Sequence, residues 1–366
     1  MKRNFFYYEV PEDVRDVGWS EIQSCFTQRL YYASMGRFGI YHILKSIDDG
    51  KLLNKQVMLP VYACNSITWA VLKAGFIPVY CDIDVEDLNP DVNSIKEVYY
   101  RTSSKVLLCP SLYGNPANLI DLEEFCKENE IILIDDAAQA FGARLENRVV
   151  GGFGDAGLFS FSAGKPTFGH MGCYFWTKAI ISQNLNKTRH RVYHWLSFVN
   201  FFFNRYADYN FKKLYRIAVL NYIQIFLFKI LDLSCDGISQ YERKILHRIA
   251  ISNFKGISER SEVMSAVDKL LLTSSQFRLI KSIRGIGNNN KIVLIADSVE
   301  SRDRFIAFFH SQNLWCTRGY KLLDEIGYYP TAKALYNRVI EIPIVMDKER
   351  NQRTVACLNT FLNSNN

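Results

Sequence analysis

The chain is predicted to be an α/β protein with a mostly parallel, doubly wound sheet and a smaller C-terminal α/β domain. Three observations carry this. Short apolar runs alternate with helical patterns from residue 57 onward, the order that builds parallel sheets with covering helices. A length of 366 residues with 48% hydrophobic content supplies a large core. The apolar run IILI at 131–134 stops on two adjacent carboxylates, Asp135 and Asp136, and open α/β sheets bind ligands at such strand ends.

The predicted strands are VML at 57–59, PVYC at 78–81, KVLLC at 105–109, IILI at 131–134, GLFSF at 157–161 and CYFW at 173–176. Segments 66–74 and 119–128 show the i, i+3, i+4 spacing of helices that cover a sheet. Composition changes between 180 and 235, where residues 195–232 carry twelve aromatics and five Lys or Arg. Its most apolar part, 217–233, contains Asn221, Gln224 and Lys229 and falls short of a membrane span of roughly 18 uncharged residues. Two readings stand: buried helices against the body or a dimer partner, and an interfacial element giving peripheral membrane contact. Beyond 240 a helix near 261–282, a strand at 291–295, a helix at 300–312, a strand at 339–344 and a final helix are expected. The expected organisation is a large domain over 1–180, an aromatic-rich helical insertion over 181–240 and a small α/β domain over 241–366.

Nine cysteines form no CxxC pair, and several sit in apolar runs where a reduced thiol packs as a small hydrophobe, so a structural metal is not expected. The first residues, MKRNFFYYEVPEDVRD, lack the apolar core and cleavage site of a signal peptide, which points to the cytoplasm. A net charge of +7 is spread along the chain rather than clustered, a pattern of solubility rather than of nucleic-acid binding.

Twenty-nine residues after Asp136 stands Lys165, within GLFSFSAGKPTFG, where a strand runs into the lysine. A lysine at a buried strand end loses hydration, which lowers its pKa and makes it a competent amine nucleophile. With a carboxylate at a neighbouring strand end it suggests pyridoxal phosphate, the lysine forming the Schiff base and the carboxylate holding the pyridine nitrogen protonated. Spacing alone leaves open a snorkelling lysine and helix-capping aspartates.

The stretch IDDAAQAFGARLENRVVGGFGDAGLFSFSAGKP resembles the signature of the DegT/DnrJ/StrS family of sugar-nucleotide aminotransferases, which use pyridoxal 5'-phosphate on fold type I. LPVYACNSITWAVLKAGFIPVYCDID at 59–84, SLYGNPANLIDLEEF at 111–125 and EIPI at 341–344 extend the likeness more weakly. The resemblance implies Lys165 as the cofactor-bearing lysine and proton shuttle, and Asp136 as partner of the pyridine nitrogen. It implies Gln139 against the ring near its phenolic oxygen, and Ser160 on the phosphate, where an inward strand serine bonded to backbone is the alternative. Asp135 matches a position without a cofactor role, for which helix capping or solvation suffices.

Departures from the family pattern matter too. Where many relatives carry Ser-Gly-Thr before a helix, the phosphate-binding place suited to backbone N–H donors, this chain has Gly36, Arg37 and Phe38. Gly36 allows close approach, and Arg37 is either a charge for the phosphate or a surface residue. Cys64 stands where relatives often place an aromatic against the ring, so stacking is expected from elsewhere, with Tyr62 the candidate. The usual Gly-Glu-Gly-Gly after the lysine reads Gly169-His170-Met171-Gly172, with His170 either near substrate or structural. NFKGIS at 253–258 loosely resembles the stretch by which one subunit reaches the other's site, which carries over Asn253 and a homodimer.

The expected function is transamination of a keto-sugar nucleotide with an amino acid donor such as glutamate. The alternatives are a pyridoxal-phosphate-dependent sugar dehydratase, in which histidine typically replaces the lysine, and a catalytically altered binding or membrane-associated relative.

Overall fold

A computed structural model describes residues 29–181, apart from 34, 49, 51, 53, 162–164 and 166–171, and residues 258–364, apart from 273 and 346. Ser162, Gly169, His170, Asn253 and the aromatic-rich stretch 195–232 lie outside the described residues.

The strands of the larger unit are β1 (Tyr31–Ala33), β2 (Gln56–Pro60), β3 (Ile77–Cys81), β4 (Val106–Pro110) and β5 (Ile132–Asp136), then the short β6 (Arg144–Leu145) and β7 (Arg148–Val149), β8 (Ala156–Ser160) and β9 (Cys173–Thr177). Seven of them form one sheet in the order β1-β9-β8-β5-β4-β2-β3, with β6 and β7 a separate hairpin. The five strands from β3 to β8 run parallel, while β9 and β1 close one edge antiparallel. Because side chains alternate along a strand, each central strand feeds two cores. Met58, Leu107, Leu133 and Phe159 point to one face. Val57, Leu59, Val106, Leu108, Ile134 and Leu158 point to the other.

Helices α1 (Gly36–Ile47) and α2 (Asn65–Lys73) cover the second face, with Ile40, Ile43, Leu44 and Ile47 of α1 at the i, i+3, i+4, i+7 spacing of one stripe. Helices α3 (Val92–Thr102) and α4 (Leu119–Glu128) cover the first with Ile95, Val98, Leu119, Leu122 and Phe125. Asp91 caps α3 by accepting from Ser94 N at 2.7 Å. A sheet covered on both faces leaves only the strand ends for polar chemistry, and the carboxyl ends of β4, β5 and β8 lie in register there.

The smaller unit has a wholly antiparallel sheet. Helix α5 spans 258–271, followed by β10 (Phe277–Ile280), β11 (Lys291–Ala296), α6 (Val299–Ser311), β12 (Thr317–Arg318), α7 (Pro330–Leu335), β13 (Val339–Pro343) and α8 (Lys348–Ser364). The order is β10-β11-β13-β12. The helix expected over 261–282 is therefore corrected: it ends at 271, and Phe277–Ile280 pairs with β11 instead. Local apolar spacing favours helix there, but four ladder positions on β11 and burial of Phe277 against Phe305 and Phe361 override it.

Polar contacts seat the smaller unit on the larger one. The Asp82 carboxylate, just past β3, accepts from Thr331 N and Ala332 N at 2.8 Å each and so caps α7 from across the boundary. Arg284 donates to Asp87 at 2.6 Å and to Asp84 at 2.9 Å. Between these contacts, Val61, Tyr62, Leu112 and Tyr113 form one apolar cluster with Val293, Ile295, Leu335 and Val339.

Asp82→Ala strips two helix-start amides, one of them buried, of their acceptor, so unfolding stability should fall by about 1–2 kcal/mol in a urea titration. An unchanged midpoint would show that this cap does not hold the two units together.

Candidate active site

β5 delivers adjacent carboxylates at its carboxyl end, and the pleat sends them to opposite sides. Asp136 is 3% exposed, and its Oδ1 accepts from Ala138 N at 2.9 Å. Desolvation raises its carboxyl above the ordinary range, opposed by the Lys165 charge and the Ala138 N–H. Lys165 follows β8, the neighbour of β5, with a half-buried side chain. Burial holds its amine below the usual lysine range, with Cys64 and Asp136 pulling upward and Lys291 pulling downward. Each of Lys165 and Asp136 thus acts on the charge of the other, and they stand at or just beyond the carboxyl ends of the neighbouring parallel strands β8 and β5.

Asp135 has a different task from the capping or solvated one expected of it. It is fully buried, and its Oδ2 accepts from Gly151 N at 2.5 Å and Phe153 N at 3.2 Å. The carbonyl of Gly151 in turn accepts from Trp176 Nε1 at 2.6 Å. This carboxyl pins the 151–153 turn beneath β8 and β9. Desolvation outweighs those two amides and pushes its pKa up to about 7.

A second cluster lies at the start of α1. The first N–H groups of a helix have no intrahelical acceptors, and Met35 offers α1 no side-chain cap. Ser160, 2% exposed at the end of β8, packs directly against this turn: a Cβ on Gly36 would lie 3.1 Å from its Cβ and 3.2 Å from its Oγ. Glycine thus lets the helix start approach the serine closely. Arg37 lies with its guanidinium carbon 5.3 Å from the Trp69 ring centre, a cation over an aromatic face.

Gln139 is 5% exposed; its Nε2 donates to Tyr320 Oη at 3.1 Å, and its Oε1 is buried with no partner among the described residues. Cys64 is half-buried immediately before α2, its Sγ 3.0 Å from Ser66 Oγ. Tyr62 does not supply the missing ring stacking. It is 0% exposed, with its hydroxyl 2.6 Å from that of Tyr113 and its ring edge-on to Tyr320.

The sequence reading missed Tyr113, Tyr320, Lys291, Glu341 and Asn288. Tyr113 donates to Glu341 Oε1 at 3.0 Å, and Lys291 pairs with Glu341 Oε2. Asn288 donates to the carbonyls of Gln139 and Phe141 at 2.8 and 3.0 Å and so fixes the turn after β5. One signal was available: a glutamate inside the apolar strand VIEIP must find a buried partner. Among the described residues no group of three or more His, Cys, Asp or Glu is arranged to hold a metal.

Asp136 thus ends one strand of a doubly wound sheet and Lys165 follows its neighbour, on a fold shared with solved aminotransferase structures. The model of the DegT/DnrJ/EryC1/StrS aminotransferase family matches residues 47–188, the segment that carries both Asp136 and Lys165, in agreement with the resemblance seen in the sequence. A curated relative, the GDP-perosamine synthase of Escherichia coli O157:H7, is 30% identical over 110 residues, which is 30% of either chain. The chain thus spans about a third of the length of the curated relative it matches. Among solved structures, the Helicobacter pylori aminotransferase PseC, involved in the biosynthesis of pseudoaminic acid, superposes with a TM-score of 0.68 at 14% identity, covering 94% of this chain and 90% of that one. The E. coli GDP-4-keto-6-deoxy-D-mannose-3-dehydratase, solved with bound hydrated pyridoxal phosphate, does so with a TM-score of 0.66 at 15% identity over 94% and 90%.

The residues present fit that cofactor. A buried amide oxygen without a partner among the described residues, a helix start at Gly36 against a buried serine, and an amine and a carboxylate that act on each other's charge suit its ring, phosphate and two reactive ends.

The raised Asp135 pKa means that the folded state holds a proton which the unfolded chain releases near pH 4. Its effect on stability is therefore most favourable below pH 4 and is lost as pH rises toward about 7. Asp135→Asn should remove that slope, so the difference in melting temperature between variant and wild type should shift in favour of the variant from pH 4 to 7. A constant difference across this range would contradict a protonated Asp135.

Proposed function

We propose that the chain is a pyridoxal-phosphate-dependent aminotransferase that moves an amino group from an amino acid such as glutamate to a keto group of a nucleotide-linked sugar, in amino-sugar biosynthesis. The observation that carries this reading is that Lys165 and Asp136, at the ends of the adjacent strands β8 and β5, are both desolvated and act on each other's charge. When bound, the cofactor supplies a ring that accepts the electron pair released at the carbon losing a proton.

The chain's own residues do the rest. Asp136 holds a proton on the ring nitrogen, and its burial strengthens that bond. Ser160 and the backbone at the start of α1 take the phosphate, Gly36 permitting the approach and Arg37 adding positive charge beside Trp69. Gln139 and Cys64 border the ring. Lys165 Nζ, kept below the usual lysine range by desolvation, takes the proton from the donor's α-carbon, and in the second half-reaction gives one to the sugar carbon that comes to bear the amino group.

The described residues contain no helix long and apolar enough to cross a membrane. We place the enzyme in the cytoplasm as a homodimer. The presence of Lys165 favours transamination over the dehydratase alternative.

Protein supplied with pyridoxal phosphate should show a visible absorption band that glutamate abolishes. Incubation with keto-sugar nucleotides and glutamate should yield an amino-sugar by mass, and Lys165→Ala should lower turnover by about 10²–10⁴-fold. A product that has lost a hydroxyl without gaining nitrogen would establish the dehydratase, and a wild type that ignores the cofactor would establish the binding protein.

A further inference from the structure

We propose that Tyr320 is a positioning residue that holds the Gln139 amide in register with the pocket, and that the Lys291–Glu341 pair holds Tyr320 through Tyr113 and Tyr62. The inference rests on reading that pocket as the cofactor site.

Counting protons assigns the direction of the chain. A phenol has one proton to donate. Tyr113 gives its proton to Glu341 Oε1 at 3.0 Å, so the 2.6 Å contact between the two hydroxyls has Tyr62 as donor. The Tyr62 oxygen is then left as an acceptor, and it takes the backbone N–H of Tyr320 at 3.2 Å. Lys291 on β11 balances the Glu341 carboxylate on β13, and its ammonium lies 5.8 Å from the Tyr113 ring centre. Every bond from Glu341 to the Tyr320 backbone therefore has a settled donor and acceptor. Tyr62, Tyr113 and Glu341 are all buried, where breaking one bond strands a polar group without water.

Packing confines Tyr320 in the same way. Its ring stacks on Tyr113 at 6.0 Å and 18° and meets Tyr62 edge-on at 5.7 Å and 68°. A Cβ on Gly319 would come within 2.2 Å of Tyr62 Oη, so the backbone before Tyr320 sits directly on that hydroxyl. Held in this way, Tyr320 Oη accepts from Gln139 Nε2 at 3.1 Å. One end of the amide is engaged, and the other, Oε1, is buried without a partner among the described residues, which leaves it for a ligand. Asn288 secures the backbone of the same residue. Both grips on Gln139 come from chain beyond residue 280, so presentation of the amide depends on how the smaller unit is seated.

The test uses the full chain, with pyridoxal phosphate as probe and binding read from its absorption spectrum. Tyr320→Phe should weaken cofactor affinity about tenfold and move the band maximum, and Tyr62→Phe should weaken it by less. Because Tyr62 acts through Tyr320, the double variant should match Tyr320→Phe within about twofold. Tyr113→Phe breaks the chain one step earlier and should reproduce Tyr62→Phe, which keeps the test decisive if Tyr320→Phe does not fold. Effects of Tyr62 and Tyr320 that multiply, or variants with wild-type affinity and band position, would overturn the positioning role alone. A wild type that takes up no cofactor would overturn the functional reading and this proposal with it.

Discussion

The desolvation of Lys165 and Asp136 at the carboxyl edge of the parallel strands is the constraint on which the rest of the structure depends. Helices and side chains cover both faces of the sheet, so its central strands are apolar along their length and polar groups are confined to strand ends. A charge brought there leaves water and needs a partner. The amine and the carboxylate each moderate the penalty of the other, and neither is fully relieved: burial still lowers the lysine and raises the aspartate. A ligand that gives both groups a bonding partner completes this arrangement.

Around that pair, neighbouring residues divide the labour. Asp135 and Asp136 are adjacent in sequence yet turn to opposite sides of the strand, one bracing the 151–153 turn and the other under the influence of the Lys165 charge. The turn that Asp135 braces lies under β8, so the structural carboxyl supports the strand that leads to Lys165. From across the boundary, the smaller unit contributes the Lys291–Glu341 pair, the tyrosine contacts and Asn288. Asp82 and Arg284 lock its seating.

Much of the larger unit was legible because its signals are local. Every predicted strand from 57 to 176 overlaps an observed one, since continuous apolar runs between turn residues leave few alternatives. The positions of Asp136 at the end of β5 and of Lys165 beyond β8 were legible because a strand end that breaks into charge is conspicuous. The smaller unit was less legible: β10 was read as helix because FRLI carries no local mark of its pairing with β11. The Tyr62 misreading has a similar origin, because its hydroxyl partner is 51 residues away and Tyr113 meets Glu341 across 228. No local pattern predicts bonds of that separation. Asp135 was read as a capping or solvated residue because strand alternation tells which side a residue faces but not whether that side is wet.

The central claim is that one particular lysine carries the cofactor opposite Asp136. Borohydride reduction of the cofactor-loaded protein followed by peptide mass mapping tests it most directly, since reduction locks the cofactor onto the nitrogen that holds it. The account predicts an adduct on the peptide containing Lys165 and none on that containing Lys291. An adduct on Lys291, or a cofactor-loaded protein with no lysine adduct, would contradict it.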